Sequence, residues 1–277
     1  MIGQAERLIE LNKLKGLQGK VPGKGEIIAF SSGKGGTGKT FISLNVAYAL
    51  SKLNKKVLVI DLDANLSNIN IMLNIKPEKT IIKFYQNKNS LSELITIYER
   101  NLHFIFGDSG KIDYPHTNQT DTDYFLSSVR DLCNDYDYIL LDIGAGAGDD
   151  IIYLLQNIHT NILTINPEPT AIMDAYVIIK LLHNAGSATN NLIIVNRCFS
   201  EDEAKTAFNN LSMAASHFLK ETVTLLGYVE HDPNVNKSIM SQEVYLKKIP
   251  RSKISMQLIK LAQTIVQRTR MSQTKIR

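Results

Sequence analysis

The chain has 277 residues, 44% hydrophobic and 21% charged, an ordinary globular composition that suffices for one large α/β domain or two small ones. Its net charge of +4 is unevenly spread, +3 over 1–25 and +9 over 247–277, which leaves −8 on the body, 26–246. That acidic body excludes a protein that coats nucleic acid over its whole surface, and the two distant cysteines, Cys133 and Cys198, exclude a disulfide framework or zinc ribbon. The cysteine usage fits a reducing cytoplasm. No run reaches the roughly 18 apolar residues of a membrane span, and no secretory signal is visible at the start.

In chain order, residues 1–15 are predicted as a short helix, with Ala5, Leu8, Leu11 and Leu14 at helical spacing. Residues 16–25, rich in Gly, Pro and Lys, read as a linker. From 26 to 277 short β-rich runs alternate with helical patterns. Strands are expected at 27–31, 57–61, 102–106, 138–142, 162–165, 192–196 and 225–229, and helices at 40–52, 122–134, 170–183 and 201–219. This alternation predicts an α/β domain, a mostly parallel twisted sheet with helices on both faces. Strands that are apolar throughout agree with a sheet covered on both sides.

The first strand runs into Gly33, Lys34, Gly35, Gly36, Thr37, Gly38, Lys39 and Thr40, and a helical pattern follows at once. This is a complete GxxxxGK[ST] phosphate loop in its required strand–loop–helix setting. Glycines let backbone N–H groups approach phosphate oxygens, and the helix N-terminus adds partial positive charge. Lys39 is the residue that reaches the β- and γ-phosphates of ATP, and Thr40 supplies a hydroxyl ligand for Mg²⁺. Two later strand ends carry acids. Asp61 and Asp63 alternate along an extended segment, so both carboxylates can share one face. Asp142 ends the 138–142 strand ahead of Gly144 and Gly146. Asp61 and Asp142 are the candidate metal ligands, as phosphoryl transfer requires Mg²⁺, a positioned water and charge stabilisation.

The second lysine of the loop, Lys34, makes it resemble the deviant Walker A motif of the MinD/ParA ATPases. That resemblance implies a slow regulatory ATP hydrolase. It implies that Lys34 contacts phosphate across an ATP-sandwiched homodimer, that Asp63 orients the attacking water, and that Asp142 opens a γ-phosphate-sensing switch. Asn68 fits the same pattern. Asn166-Pro167-Glu168-Pro169-Thr170-Ala171, with Asp174-Ala175-Tyr176, resembles the flagellar-number branch of that family (FlhG, also called FleN or YlxH). So does Gly144, where MinD proper has proline. The resemblance covers most of 26–246. It implies adenine contacts at Asn196 and near Asp232 and Pro233. It also implies that the first helix, through Gln4, Ala5 and Leu8, engages the SRP-type GTPase FlhF. Gly3 and Ile9 depart from the branch's motif there, which has Asp and Arg at those positions.

At the end of the chain, Ile254, Leu258, Leu261, Ala262, Ile265 and Val266 fall on one side of a helix and a basic polar set on the other. Two readings stay open: a membrane-surface helix of MinD type, or a core helix over 252–268 with only a short polar tail beyond it. The expected function is therefore a cytoplasmic ATPase switch that controls flagellar number or placement. It is expected to dimerise on ATP, to act on a protein partner and to touch the inner membrane surface at most peripherally. The alternative is a MinD- or ParA-like positioning ATPase for the division site or for cargo segregation. A ParA-type DNA surface fits poorly with the −8 body, so nucleic acid is not an expected partner.

Overall fold

Side chains along the first strand alternate between two apolar layers. Ile28 and Phe30 join one and Ala29 the other, and Val57 and Val59 separate from Leu58 and Ile60 in the same way. A strand that is apolar on both faces needs cover on both faces, and the computed structural model provides it. The structure describes residues 25–63, 68–86, 88–108 and 118–275, with side chains through 271. The helix expected over 1–15 lies outside the described residues, as does the linker expected over 16–25 apart from Gly25.

Among the described residues, eight strands form one sheet: β1 (Glu26–Ser31), β2 (Val57–Leu62), β3 (Thr96–Glu99), β4 (Leu102–Ile105), β5 (Tyr138–Ile143), β6 (Thr160–Ile165), β7 (Asn190–Cys198) and β8 (Thr224–Glu230). Their order is β3-β4-β2-β5-β1-β6-β7-β8. Every neighbouring pair is parallel except β3–β4. The seven strands read from the sequence are all present, and most are longer by a residue or two. β3 was not expected. It is a four-residue edge strand whose side chains are half-buried or exposed, so it lacks the apolar run that marks the others.

The longer helices are α1 (Lys39–Lys52), α2 (Gln119–Leu132), α3 (Asp149–Gln156), α4 (Pro169–Asn184), α5 (Glu201–Ala214), α6 (Pro233–Met240) and α7 (Lys253–Lys275). One face of the sheet carries α2 to α5 in sequence, each packed on the next. The other carries α1 and α7. Sandwiched between the sheet and α7, α1 buries every residue from 41 to 51. The helix expected over 201–219 changes character near its end. It is α-helical to Ala214 and then makes a π turn over Ala215–Leu219 that leaves Phe218 70% exposed.

The two readings of the last helix separate here. Ile254, Leu258, Leu261, Ala262 and Ile265 are buried in the layer that contains α1, and the helix runs on to Lys275. Its apolar face is spent on the core. No helix of the described residues is long and apolar enough to cross a membrane.

Beneath the sheet, His103 on β4 is buried, and its Nδ1 lies 2.7 Å from the Tyr136 hydroxyl. Desolvation, followed by the nearby Lys56 ammonium, holds the imidazole pKa below its usual 6.5. The folded state therefore disfavours the protonated imidazole, while the unfolded chain protonates near pH 6.5. The resulting stability is present in full above that pH and is lost as pH falls below it. A His103→Gln variant is expected to show a flatter dependence of Tm on pH between about 5 and 7 than the parent. For the last helix, Leu258→Ala is expected to cost about 2–5 kcal/mol in urea unfolding. Met256→Ala, at an exposed position of the same helix, should stay within about 0.5 kcal/mol. Equal small effects would contradict the core assignment of α7.

Candidate functional site

β1, β5 and β2 lie side by side, and their carboxyl ends deliver the phosphate loop, Asp142 and Asp61 to one edge. The β2–β5 register places Asp61 opposite Asp142. In an open parallel sheet this edge is where ligands bind.

The loop turns on two glycines in the left-handed region, Gly36 at φ 82° and Gly38 at φ 86°. Gly38 is the N-cap of α1, and its carbonyl accepts the Ile42 N–H at 3.0 Å. A Cβ on Gly38 would meet the Asn196 amide nitrogen at 2.3 Å, so glycine is required there twice over. Asn196, at the end of β7, donates to the Thr37 carbonyl at 2.7 Å. With its amide nitrogen turned toward acceptors, Asn166 donates to Thr37 O at 3.2 Å and to Asn196 O at 3.3 Å. The loop is thus fastened from β6 and β7 as well as from β1.

Lys39 and Thr40 converge on Asp142. The Lys39 ammonium donates to Oδ1 at 2.9 Å, and both side chains are almost fully buried. The Thr40 hydroxyl donates to Oδ2 at 2.8 Å, and Ser43, one helical turn on from Lys39, donates to Oδ1 at 3.0 Å. Asp61 is 1% exposed and accepts backbone N–H bonds from Asp63 at 3.1 Å and Ile69 at 3.3 Å. It shapes the turn that carries Asp63. The Asp63 carboxylate faces Gly144, where a Cβ would come within 3.8 Å of Oδ1. The following loop is tied back to β1 by the Gly146 N–H, which donates to the Ser32 carbonyl at 2.9 Å.

Lys34 behaves differently. Its side chain is 45% exposed and lies along the surface, 3.2 Å from Glu168 Oε2 and 3.3 Å from Thr170 Oγ1. Both partners sit at the start of α4. The loop presses on the same helix at Gly33, where a Cβ would fall 2.5 Å from the Asp174 carbonyl carbon.

ATP and Mg²⁺ fit this set of residues. The Cβ positions of Gly35 and Gly36 meet nothing within 4 Å, which leaves the loop's concave backbone open. Inside the loop the buried Thr37 Oγ1 has no hydrogen-bond partner. Thr40, Asp142 and Asp61 offer hard oxygen donors of the kind Mg²⁺ selects.

Sequence reading found the loop and both strand-end acids. It did not anticipate Ser43 on Asp142, and it did not connect Glu168 and Thr170 with Lys34. The Ser43 signal was present as an i+4 spacing from Lys39. The Glu168 contact spans 134 positions and has no local signal. The structure places Asn196 as a loop fastener. Asp232 caps α6, accepting the Asn234 N–H at 2.8 Å and the Tyr245 hydroxyl at 3.0 Å, and Pro233 stands exposed at that helix's first turn. Beside them at the ends of β7 and β8, the rings of Phe199 and His231 lie 5.8 Å apart. Gln4, Ala5 and Leu8 lie outside the described residues.

A model of the ParA family, described as NUBPL iron-transfer P-loop NTPase, matches residues 24–266. The antiactivator FleN of Pseudomonas aeruginosa is 28% identical over 240 residues, 87% of this chain and 86% of that protein. The flagellum site-determining protein YlxH of Helicobacter pylori is 29% identical over 270 residues, 96% of this chain and 91% of its own. Among solved structures, the cell division ATPase MinD of Pyrococcus furiosus superposes with a TM-score of 0.73 at 26% identity, covering 88% of this chain and 99% of that one. MinD of Pyrococcus horikoshii, solved with Mg-ADP, gives 0.72 at 26% identity, covering 87% and 95%. Iron transfer would call on thiolates. Here both thiols are buried on separate elements, and desolvation pushes each pKa up to about 11, so they stay protonated.

The Lys39–Asp142 contact predicts a stability effect in the absence of any nucleotide. Asp142→Asn leaves the buried ammonium without its counter-charge, and urea unfolding is expected to record a loss of about 3–5 kcal/mol. A loss under about 1 kcal/mol would show that Lys39 escapes to solvent instead.

Proposed function

The chain belongs to the ParA/MinD family of P-loop NTPases and hydrolyses ATP, and we propose that it does so as a slow switch controlling flagellar number and placement. In this reading the switch works as an ATP-bound homodimer. The observation that carries it is the opposite orientation of the two loop lysines. Lys39 is turned inward onto Asp142, while Lys34 lies on the outer rim against Glu168 and Thr170. A lysine held outside its own phosphate cradle supports a role at a second one.

The roles follow from position. The backbone of Gly33, Lys34, Gly35, Gly36, Thr37 and Gly38 cradles the phosphates, and Lys39 exchanges Asp142 for the β- and γ-phosphate oxygens. Mg²⁺ neutralises phosphate charge when bound, and Thr40, Asp142 and Asp61 are the residues that would hold it, directly or through water. Asp63, held beside the Gly144 turn, orients the attacking water. Asn196 secures the loop, and with Asp232 and Pro233 it borders the adenine. Lys34 leaves Glu168 and crosses to the phosphates of the partner copy, so the second active site is completed only in the dimer.

The flagellar assignment is supported by the likeness to FleN and YlxH, the latter extending into residues 1–24. Through Gln4, Ala5 and Leu8 that segment is the element proposed to stimulate the SRP-type GTPase FlhF. A second reading, a MinD-like positioning ATPase for the division site, is supported by the likeness to MinD structures over most of the chain. Peripheral membrane contact belongs to that reading. It would have to use the basic residues beyond Ile265, since the apolar face of α7 is buried.

Gel filtration with ATP and Mg²⁺ tests the switch. Asp63→Ala is expected to accumulate a dimer because hydrolysis is blocked, and Lys34→Ala in the Asp63→Ala background is expected to return it to monomer. A monomer in every case overturns the shared-site reading. Stimulation of FlhF GTPase activity by the full chain, lost in Gln4→Ala, separates the flagellar reading from the division-site one.

A further inference from the structure

On the face of the molecule away from α1 and α7, the helices α4 and α5 leave a cavity of about 450 Å³ between them. It is lined by Pro167, Ile172, Met173, Tyr176, Ala207 and Phe218 among others. Single exposed apolar side chains are ordinary on a protein surface, but this patch is contiguous. Met173 is 60% exposed and Phe218 70% exposed, on facing walls of one groove. The backbone contributes to this arrangement. The π turn at Ala215–Leu219 carries Phe218 to the lower end of the groove, where its ring meets Tyr176 edge-on at 6.5 Å. π turns inside helices occur mostly at functional positions.

The groove follows both helices, from Pro167 to Tyr176 along α4 and from Glu203 to Phe218 along α5. At a rise of about 1.5 Å per residue the longer wall measures about 22 Å. Glu203, Thr206 and Asn210 make part of that wall polar, and the apolar stretch between Met173 and Tyr176 on one side and Ala207, Ala214 and Phe218 on the other fits the apolar face of a helix. A helix over residues 1–15, as their spacing predicts, would have the same length and would carry Leu8, Leu11 and Leu14 within about 120° of its circumference.

The chain's path favours its own segment. The Gly25 N–H donates to the Cys133 carbonyl at 2.9 Å, so the chain leaves the body beside the end of α2. That is the face that carries the groove, and α2, α3, α4 and α5 lie across it in order. Neighbouring helices stand about 8–10 Å apart, which puts the groove about 20–25 Å from the exit. Residues 16–24 span at most about 30 Å. The reach is sufficient and leaves little slack.

We propose that residues 1–15 dock in the groove between α4 and α5 of the same chain, with Leu8, Leu11 and Leu14 packed against Met173, Tyr176 and Phe218. Docking occupies Leu8, one of the residues assigned above to the GTPase partner, so the docked and partner-bound states exclude each other. That consequence rests on the proposed function, whereas the docking itself does not.

The test uses the full chain carrying Leu8→Cys and Met173→Cys, treated at low concentration with a short bis-maleimide. The native thiols are buried with raised pKa and stay out of the reaction. The expected product has the mass of one chain, with positions 8 and 173 joined in its peptide map. Adding Leu11→Glu should lower the yield at least tenfold without changing nucleotide binding. Pairing Leu8→Cys with Met256→Cys, on α7 at the opposite face, should give no link. A product of two-chain mass would overturn the proposal in favour of a second copy in the groove. A Met173→Cys thiol that alkylates freely but never links to position 8 would overturn it in favour of a groove open to another protein. A yield indifferent to Leu11→Glu would reduce the link to random encounter and overturn it as well.

Discussion

The Asp142 carboxylate is the point on which the site depends. It stands at the end of β5 between β1 and β2, and it gathers Lys39, Thr40 and Ser43 from the first turns of α1. A charge pair this buried is expensive to desolvate, and it persists only where further hydrogen bonds satisfy the remaining lone pairs. Here two hydroxyls supply them. The consequence is geometric. The start of α1 is locked to the middle of the sheet, and the glycine turn before it hangs from that anchor, with Asn196 and Asn166 fixing its other side.

Around this anchor the helix α4 acts as the common partner of several parts. Its first turn holds Lys34 through Glu168 and Thr170. Its Asp174 presses on Gly33, and its outer side forms one wall of the apolar groove. A change at the phosphate loop that moved Lys34 would release two contacts on a helix that also faces the groove. The phosphate site and the outer surface are therefore joined by one rigid element rather than by a chain of loops. This gives the Pro167-Glu168-Pro169-Thr170 run a physical task. Pro169 starts the helix, and the residues on either side of it hold the lysine.

The asymmetry of charge also has a structural account. Of the nine basic residues after 246, Lys253, Lys260 and Arg270 stand on the exposed side of α7, whose other side is committed to the α1 layer. Lys247 reaches Glu99 on the edge strand β3, and Lys253 reaches Glu230 at the end of β8. Part of the basic end thus neutralises acids of the body instead of standing free for a surface.

By itself the sequence determined those features that are written in local spacing. The seven parallel strands show as apolar runs, α1 and α4 as helical periodicity, and the phosphate loop as a contiguous motif in which glycines, lysine and threonine must sit at set intervals. The strand-end acids at 61, 63 and 142 are legible for the same reason, because a strand fixes where its last side chains go. Other features are decided only by tertiary structure. The half-exposed edge strand β3, the π turn that exposes Phe218, the pairing of Lys34 with Glu168, and the capping of α6 by Asp232 arise where segments far apart in sequence meet. The last helix shows the difference most plainly. Its amphipathic pattern fits a lipid surface and a protein core equally well, since both solvate an apolar stripe. The presence of α1, itself buried on every side, settled which of the two takes it up.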